Sequence, residues 1–186
     1  MRPLLTDSRS AIFAFAARVW VPVAIYAVLH DQYVVRIEPR HFADYHPIVW
    51  GVTSPALQAA ILAFFASIGP GFMLGIACVV AGWIGSRPRI PDSFVMRGVL
   101  VVIVCAEVAS LISGLSVFKT RQPLYPDFVY PEETLSLVIT QTIQITCYLT
   151  SALFSIALIA AILWKRHSME HPAFFPASNQ RQETGN

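Results

Sequence analysis

The sequence predicts an all-α polytopic membrane protein whose four transmembrane helices form an antiparallel bundle. The chain of 186 residues is 55% hydrophobic and 13% charged, whereas soluble domains carry about 25% charged residues. Its charges are concentrated in gaps between long apolar runs, and about 20 apolar residues suffice to cross a bilayer. The net charge of +2 is too small and too scattered to indicate nucleic-acid binding.

The first predicted span covers residues 11–30 and follows a short polar lead, residues 1–10. Arg18 interrupts its apolar run, which a cleaved signal peptide would keep unbroken, so we interpret the segment as a retained helix. The Arg18 guanidinium is expected either to snorkel to the near membrane surface or to pair inside the bundle.

A loop of residues 31–50 follows, and its many aromatic residues suit the headgroup layer of a membrane. Imidazole and carboxylate groups bind divalent metals, and His30 lies beside this loop. The candidate site residues within the loop are His41, Asp44, Tyr45 and His46. Because the spacing of the two loop histidines matches no zinc signature, a hydrogen-bonded cap is the favoured interpretation and a metal site is the alternative.

The second predicted span covers residues 55–84 and begins with a helix-capping serine and a proline at the first helical position. At about 1.5 Å per residue it is roughly 45 Å long. This exceeds the roughly 30 Å of a hydrocarbon core, so the helix must tilt or bend. The bend is expected at three consecutive residues, Gly69, Pro70 and Gly71.

Small residues recur at four-residue intervals in the second and third spans. They are Gly71 and Gly75 in the second, and Ala106, Ser110 and Gly114 in the third. Such spacings let another helix approach closely. They favour tight packing, including with a homo-oligomer or membrane-protein partner.

The third predicted span, residues 98–117, carries Glu107 near its middle. An ionisable group at that depth is costly and is by default a candidate functional residue. Since Ser110 and Gly114 share its helix face, we expect the carboxylate to face a packed helix rather than lipid.

The fourth predicted span, residues 134–164, follows a proline-rich loop of residues 118–131 and carries a stripe of polar residues. The polar tail, residues 165–186, is expected to be cytoplasmic and partly disordered.

Counting residues from the cytoplasmic helix ends, at about 1.5 Å each, places several polar features at similar depth. The predicted intramembrane cluster comprises Glu107, Arg18, Gly69, Pro70, Gly71, Ser151 and Ser155. The favoured interpretation is structural: Glu107 is neutral, or pairs with Arg18, and holds the bundle together. The alternatives are transport or a proton relay, because transporters place binding sites at helix breaks, and catalysis.

The distribution of basic residues predicts the orientation. Nine Lys and Arg residues lie on the side of the two chain ends, and four lie on the side of the long loops. The positive-inside rule then places both termini in the cytoplasm.

Three short motifs resemble a family of small bacterial four-span membrane proteins with an H-F-x-x-Y-H-P motif after the first span. They are residues 40–47 (RHFADYHP), residues 50–52 (WGV) and residues 85–88 (GSRP). The resemblance implies the four-span topology and a bacterial cytoplasmic (inner) membrane, and it implies no activity.

The favoured function is that of a non-enzymatic scaffold or accessory subunit of a membrane assembly, in contact with the lipid bilayer and without a cofactor. The sequence contains no nucleophile elbow, HExxH, P-loop or Rossmann motif. One alternative is a small transporter or channel subunit that uses Glu107. The other is a membrane enzyme that uses the histidines and acids of the first loop.

Overall fold

The computed structural model describes residues 8–46 and 51–170, and these residues form an all-α antiparallel bundle. Its helices are α1 (Ser8–Ile37), the short α2 (Arg40–Ala43), α3 (Pro55–Trp83), α4 (Asp92–Thr120) and α5 (Leu135–Glu170). The four long helices are all long and apolar enough to cross a membrane. The predicted four-span fold is therefore confirmed.

We call the end of the bundle that carries the connections after α1 and α4 the loop end; its described residues are 38–46, 51–54 and 121–134. The opposite end is the tail end, where α1 begins, α5 ends and the turn between α3 and α4 lies. The predicted lead and tail fall largely outside the described residues, except that α1 already begins at Ser8, within the predicted lead, and α5 continues through residues 165–170.

Helix α1 continues seven residues beyond its predicted end, through a stretch that we expected to be a loop. This stretch contains neither glycine nor proline before Pro39, so nothing in it breaks the helix. Its residues Val34 and Val35 are buried in an apolar cluster with Phe42, which stabilises the extra turns. Helix α4 likewise begins at Asp92, six residues before the predicted start.

The bundle consists of two closely packed pairs, α1 with α3 and α4 with α5, which contact each other less extensively. In the first pair, Gly71 lies against Trp20 and Gly75 lies against Ala16. The Trp20 indole donates a hydrogen bond to Ser67 over 3.1 Å. The helix that the glycine spacing admits is therefore α1 of the same chain.

The small-residue stripe of α4 packs against α5. Ala106 and Ser110 are fully buried, and a Cβ atom at Gly114 would lie 2.6 Å from the Ile143 side chain. Both small-residue spacings are thus used inside the bundle.

Arg166 connects α5 to the end of α3 and to the turn after it. Its side chain is buried, and its guanidinium donates hydrogen bonds to the backbone carbonyls of Ala81 (2.8 Å), Ile84 (2.9 Å), Arg87 (3.1 Å) and Pro88 (3.1 Å). These carbonyls belong to the end of α3 and the turn after it, where helical carbonyls lack partners of their own. A cation is also favourable there, because the helix dipole is negative at that end.

We expect Gly75→Ala to lower the free energy of unfolding by about 1–3 kcal/mol, as overpacking does. The added Cβ would lie 2.6 Å from the Ala16 Cα, so the α1 backbone must move. Gly69→Ala is the matched control, because a Cβ there meets nothing within 4 Å. Denaturation in mixed detergent micelles, followed by circular dichroism, measures both; equal losses would contradict the packing.

We expect Arg166→Gln to lower the free energy of unfolding by about 3 kcal/mol or more, because it leaves buried carbonyls without donors. Lys119→Gln, the control, removes an exposed basic residue and should change the free energy of unfolding by about 0.5 kcal/mol or less. The same denaturation assay compares them, and a similar small effect of both variants would show that the guanidinium does not hold the turn.

Candidate functional site

Glu107 contacts His30 across the boundary between the two helix pairs. Its Oε2 atom lies 2.9 Å from the His30 Nδ1 atom. The imidazole is 3% exposed and the Glu107 side chain is 28% exposed. The carboxylate therefore faces α1. His30 gives it the polar partner that an ionisable group needs at this depth in a membrane.

Two tyrosines of α1 surround the same imidazole nitrogen. The Tyr33 hydroxyl lies 3.0 Å from Nδ1 and the Tyr26 hydroxyl lies 3.4 Å from it. Both hydroxyls also lie beside the Glu107 carboxylate. Tyr26 further contacts the Cys147 sulfur of α5 over 3.2 Å. The cluster thus joins three of the four spans through polar side chains.

The other nitrogen of His30, Nε2, is buried and has no hydrogen-bond partner among the described residues. Buried polar atoms of folded proteins are nearly always paired, so this ring nitrogen is a candidate hydrogen-bonding group for a bound molecule or water. His30 lines a cavity of about 160 Å³ between the four long helices, which we call the inner cavity. Its polar lining also includes Tyr26, Asp31, Ser67, Gln144, Cys147, Tyr148, Ser151 and Ser155.

A larger cavity of about 530 Å³, the outer cavity, lies at the loop end. It is lined by Phe42, Tyr45, His46 and the segment around Phe128, among others. The two cavities share five lining residues: Asp31, Ala63, Ala66, Gln144 and Tyr148. They therefore adjoin, and together they extend from the loops to His30.

Asp31 and Gln144 form a hydrogen bond between the helix pairs where the cavities adjoin. The Gln144 amide donates to an Asp31 carboxylate oxygen over 2.9 Å, and both residues are buried. Sequence reasoning placed Asp31 in a loop because it ended α1 too early. In the extended helix, Tyr26, His30 and Tyr33 recur at spacings of four and three residues, which place side chains on one helix face.

The predicted intramembrane cluster is only partly assembled. Pro70, Ser151 and Ser155 line the inner cavity with His30. Gly71 is buried against Trp20, and Gly69 is exposed.

Arg18 does not pair with Glu107 in the structure. It forms an ion pair with Asp92 over 3.3 Å, and both side chains are largely exposed. Because α4 begins six residues earlier than predicted, Glu107 lies about 9 Å nearer the loop end than we counted, at roughly 1.5 Å per residue. His30, which is further along α1, meets it instead.

An ionic network ties the first loop to the start of α5. The Glu38 carboxylate accepts hydrogen bonds from the Arg40 backbone and guanidinium at 3.1–3.2 Å, and from the Ser136 hydroxyl at 2.5 Å. The Arg40 guanidinium, helped by Ser136, lowers the pKa of Glu38 to about 2. Arg40 also pairs with Glu132, which accepts a hydrogen bond from the Tyr45 hydroxyl.

The loop histidines contact each other rather than forming a metal-ligand group. The His46 Nδ1 atom donates to the His41 carbonyl over 2.9 Å, and the His41 Nδ1 atom lies 3.3 Å from the Thr140 hydroxyl. Burial, together with the nearby His46, lowers the pKa of His41 to about 4. Asp44 is exposed at the end of α2. Within residues 8–46 and 51–170, no three His, Cys, Asp or Glu side chains are grouped so that they could hold a metal ion.

Comparison of the chain with models of protein families, with curated proteins and with solved structures gives no match. The comparisons thus identify no family, and the resemblance of the short motifs stays a prediction. The interpretation of the site depends on its geometry alone.

The buried His41 should make the loop end sensitive to acid. The unfolded chain takes up a proton near the ordinary histidine pKa of 6.5, whereas the folded chain resists protonation of His41 down to about 4. Stability that is present above pH 6.5 is therefore lost as the pH falls from 6.5 to 4. We expect His41→Gln to reduce this loss, as measured by thermal unfolding at a series of pH values.

The unaltered protein, measured in the same pH series, is the reference. A His41→Gln profile that coincides with that of the unaltered protein would contradict the assigned role of burial.

Proposed function

We propose that this protein is a small transporter or a subunit of one. It binds a small molecule at His30, and this ligand enters from the loop end. The adjoining inner and outer cavities are the observation that carries the proposal. Ligand sites are typically concave, mostly apolar and equipped with a few polar groups that orient the ligand. The inner cavity has this character, with His30 and Tyr26 among side chains such as Leu74 and Ile103.

The loop end is proposed to face away from the cytoplasm of a bacterial cell. The excess of basic residues at the tail end supports this orientation. A ligand then reaches the outer cavity from the aqueous phase, passes the Asp31–Gln144 hydrogen bond and enters the inner cavity.

The tail end is closed by an apolar cluster that includes Phe15, Val79, Val99 and Ile162. Release to the cytoplasmic side therefore requires a rearrangement of the bundle. The boundary between the two helix pairs is the natural place for it, because packing is closer within each pair than between them and packed elements slide as rigid units. The His30–Glu107 and Asp31–Gln144 contacts both cross that boundary.

The hypothesis of a non-enzymatic scaffold loses one of its supports. Both small-residue spacings pack inside the chain, at Gly75 against Ala16 and at Gly114 against Ile143. They therefore do not call for a helix from a partner protein. The two cavities favour ligand binding over a purely structural function.

The three cysteines provide a test of access, because Cys147 lines the inner cavity and Cys78 is buried in the apolar cluster at the tail end. One variant, C78A/C105A, keeps Cys147, and the control, C105A/C147A, keeps Cys78. A small membrane-impermeant methanethiosulfonate is added to the loop side of oriented vesicles. We expect Cys147 to react at least about tenfold faster than Cys78, and addition from the tail side to give no such difference.

Gln144→Ala in the Cys147 variant removes one member of the hydrogen bond between the cavities. It should raise the labelling rate by up to about tenfold, because a hydrogen bond contributes about 0.5–1.5 kcal/mol and 1.4 kcal/mol corresponds to a factor of ten. If Cys147 reacts no faster than Cys78 from either side, the proposed route from the loop end is wrong.

A further inference from the structure

We infer that the ligand of the inner cavity is a small uncharged molecule with an apolar body and one hydroxyl or N–H group that donates a hydrogen bond to the Nε2 atom of His30. This inference rests on the proposed function and specifies the chemical class of its ligand. It follows from the hydrogen bonding of the imidazole, the volume of the inner cavity and the charges around it.

The surroundings of Nδ1 determine what Nε2 can do. A neutral imidazole has one N–H donor and one lone-pair acceptor. Glu107 lies 2.9 Å from Nδ1, with the Tyr26 and Tyr33 hydroxyls beside it. The two tyrosine hydroxyls can donate hydrogen bonds to the Glu107 carboxylate. A carboxylate has no hydrogen to donate, so it also accepts the hydrogen bond from Nδ1, which then carries the imidazole hydrogen. The lone pair is then on Nε2, which is buried and has no hydrogen-bond partner among the described residues. Because His30 lines the inner cavity, a ligand that pairs with this nitrogen must supply a donor.

The size of the cavity limits the body of the ligand. A volume of about 160 Å³ is comparable with that of an apolar protein cavity of roughly 150 Å³ that accommodates benzene. Val23, Leu74, Val102 and Ile103 provide apolar walls. A six-membered ring or a branched chain of similar volume fits this space, and a larger body would extend beyond it, for example into the adjoining outer cavity.

The charges around the cavities disfavour an anion. Neither cavity has a Lys or Arg among its described lining residues. Asp31 is the carboxylate in their shared lining, and one of its oxygens already accepts from Gln144. A carboxylate or phosphate group would thus enter without a cationic partner, which is costly away from water.

Three probes of similar size separate the contributions: phenol, toluene and anisole. Phenol has a donor, toluene replaces the hydroxyl with a methyl group, and anisole has an oxygen that accepts but cannot donate. The protein, labelled with ¹⁵N in its histidines and held in lipid nanodiscs, is titrated with each probe. We expect phenol to bind about tenfold more tightly than toluene, as one hydrogen bond contributes, with anisole resembling toluene.

The ¹⁵N resonance of His30 Nε2 should move on addition of phenol and not of toluene, which a merely structural histidine would not show. His30→Phe keeps a ring of similar volume and should abolish the preference for phenol while retaining toluene binding. Should that variant fail to fold, the three-probe comparison and the ¹⁵N shift in the unaltered protein still decide the question.

The measurements distinguish a failure of the proposed function from a failure of the inferred ligand class. If none of the probes binds and none protects Cys147 from the thiol reagent, the proposed function itself is wrong. If phenol and toluene bind equally, the cavity binds ligands but the inferred donor is wrong. If anisole equals phenol and both exceed toluene, Nε2 is a donor and the inferred class is overturned; tighter binding of benzylamine, a cation at neutral pH, would overturn it as well.

Discussion

The contact between His30 and Glu107 is the constraint around which the bundle is arranged. Each residue belongs to a different helix pair, and the distance of 2.9 Å between them requires the two pairs to meet at this level. Neither side chain is tolerable alone in the membrane interior, because an unpaired polar group away from water is costly. Tyr26, Tyr33 and Cys147 extend the contact, so polar groups of three spans pair with one another, and the Nε2 atom of His30 is left without a partner among the described residues.

Much of the fold is predictable because its signals are local. Long apolar runs indicate the spans, and small residues at four-residue spacing indicate close packing. The identity of Glu107 as the notable intramembrane acid follows from the same local reading. Its partner does not, because depth depends on where each helix begins and ends. The early start of α4 and the continuation of α1 through Ile37 place His30 rather than Arg18 beside Glu107. Pro39 and the pair Pro91 and Asp92 lie at these two boundaries, but the predicted spans ended and began elsewhere.

The cavities are less predictable still, because they depend on what is left between the helix pairs. Ser151 and Ser155 were identified from a polar stripe on one helix, whereas Asp31 and Gln144 meet across 113 positions of sequence. The contacts between the first loop and α5 at the loop end likewise depend on the assembled fold. Glu38 binds both its near neighbour Arg40 and the distant Ser136, so the loop that follows α1 is held by α5. Contacts of this kind follow from the assembled fold and not from periodicity.

The buried Arg166 has a consequence for biosynthesis. Four carbonyls at the end of α3 and in the following turn depend on a side chain that lies near the end of the last helix. While the ribosome is still translating α5, those carbonyls must rely on water or lipid headgroups. The hairpin of α3 and α4 therefore lacks these hydrogen bonds in the nascent chain, and it reaches its final form only when α5 leaves the insertion machinery.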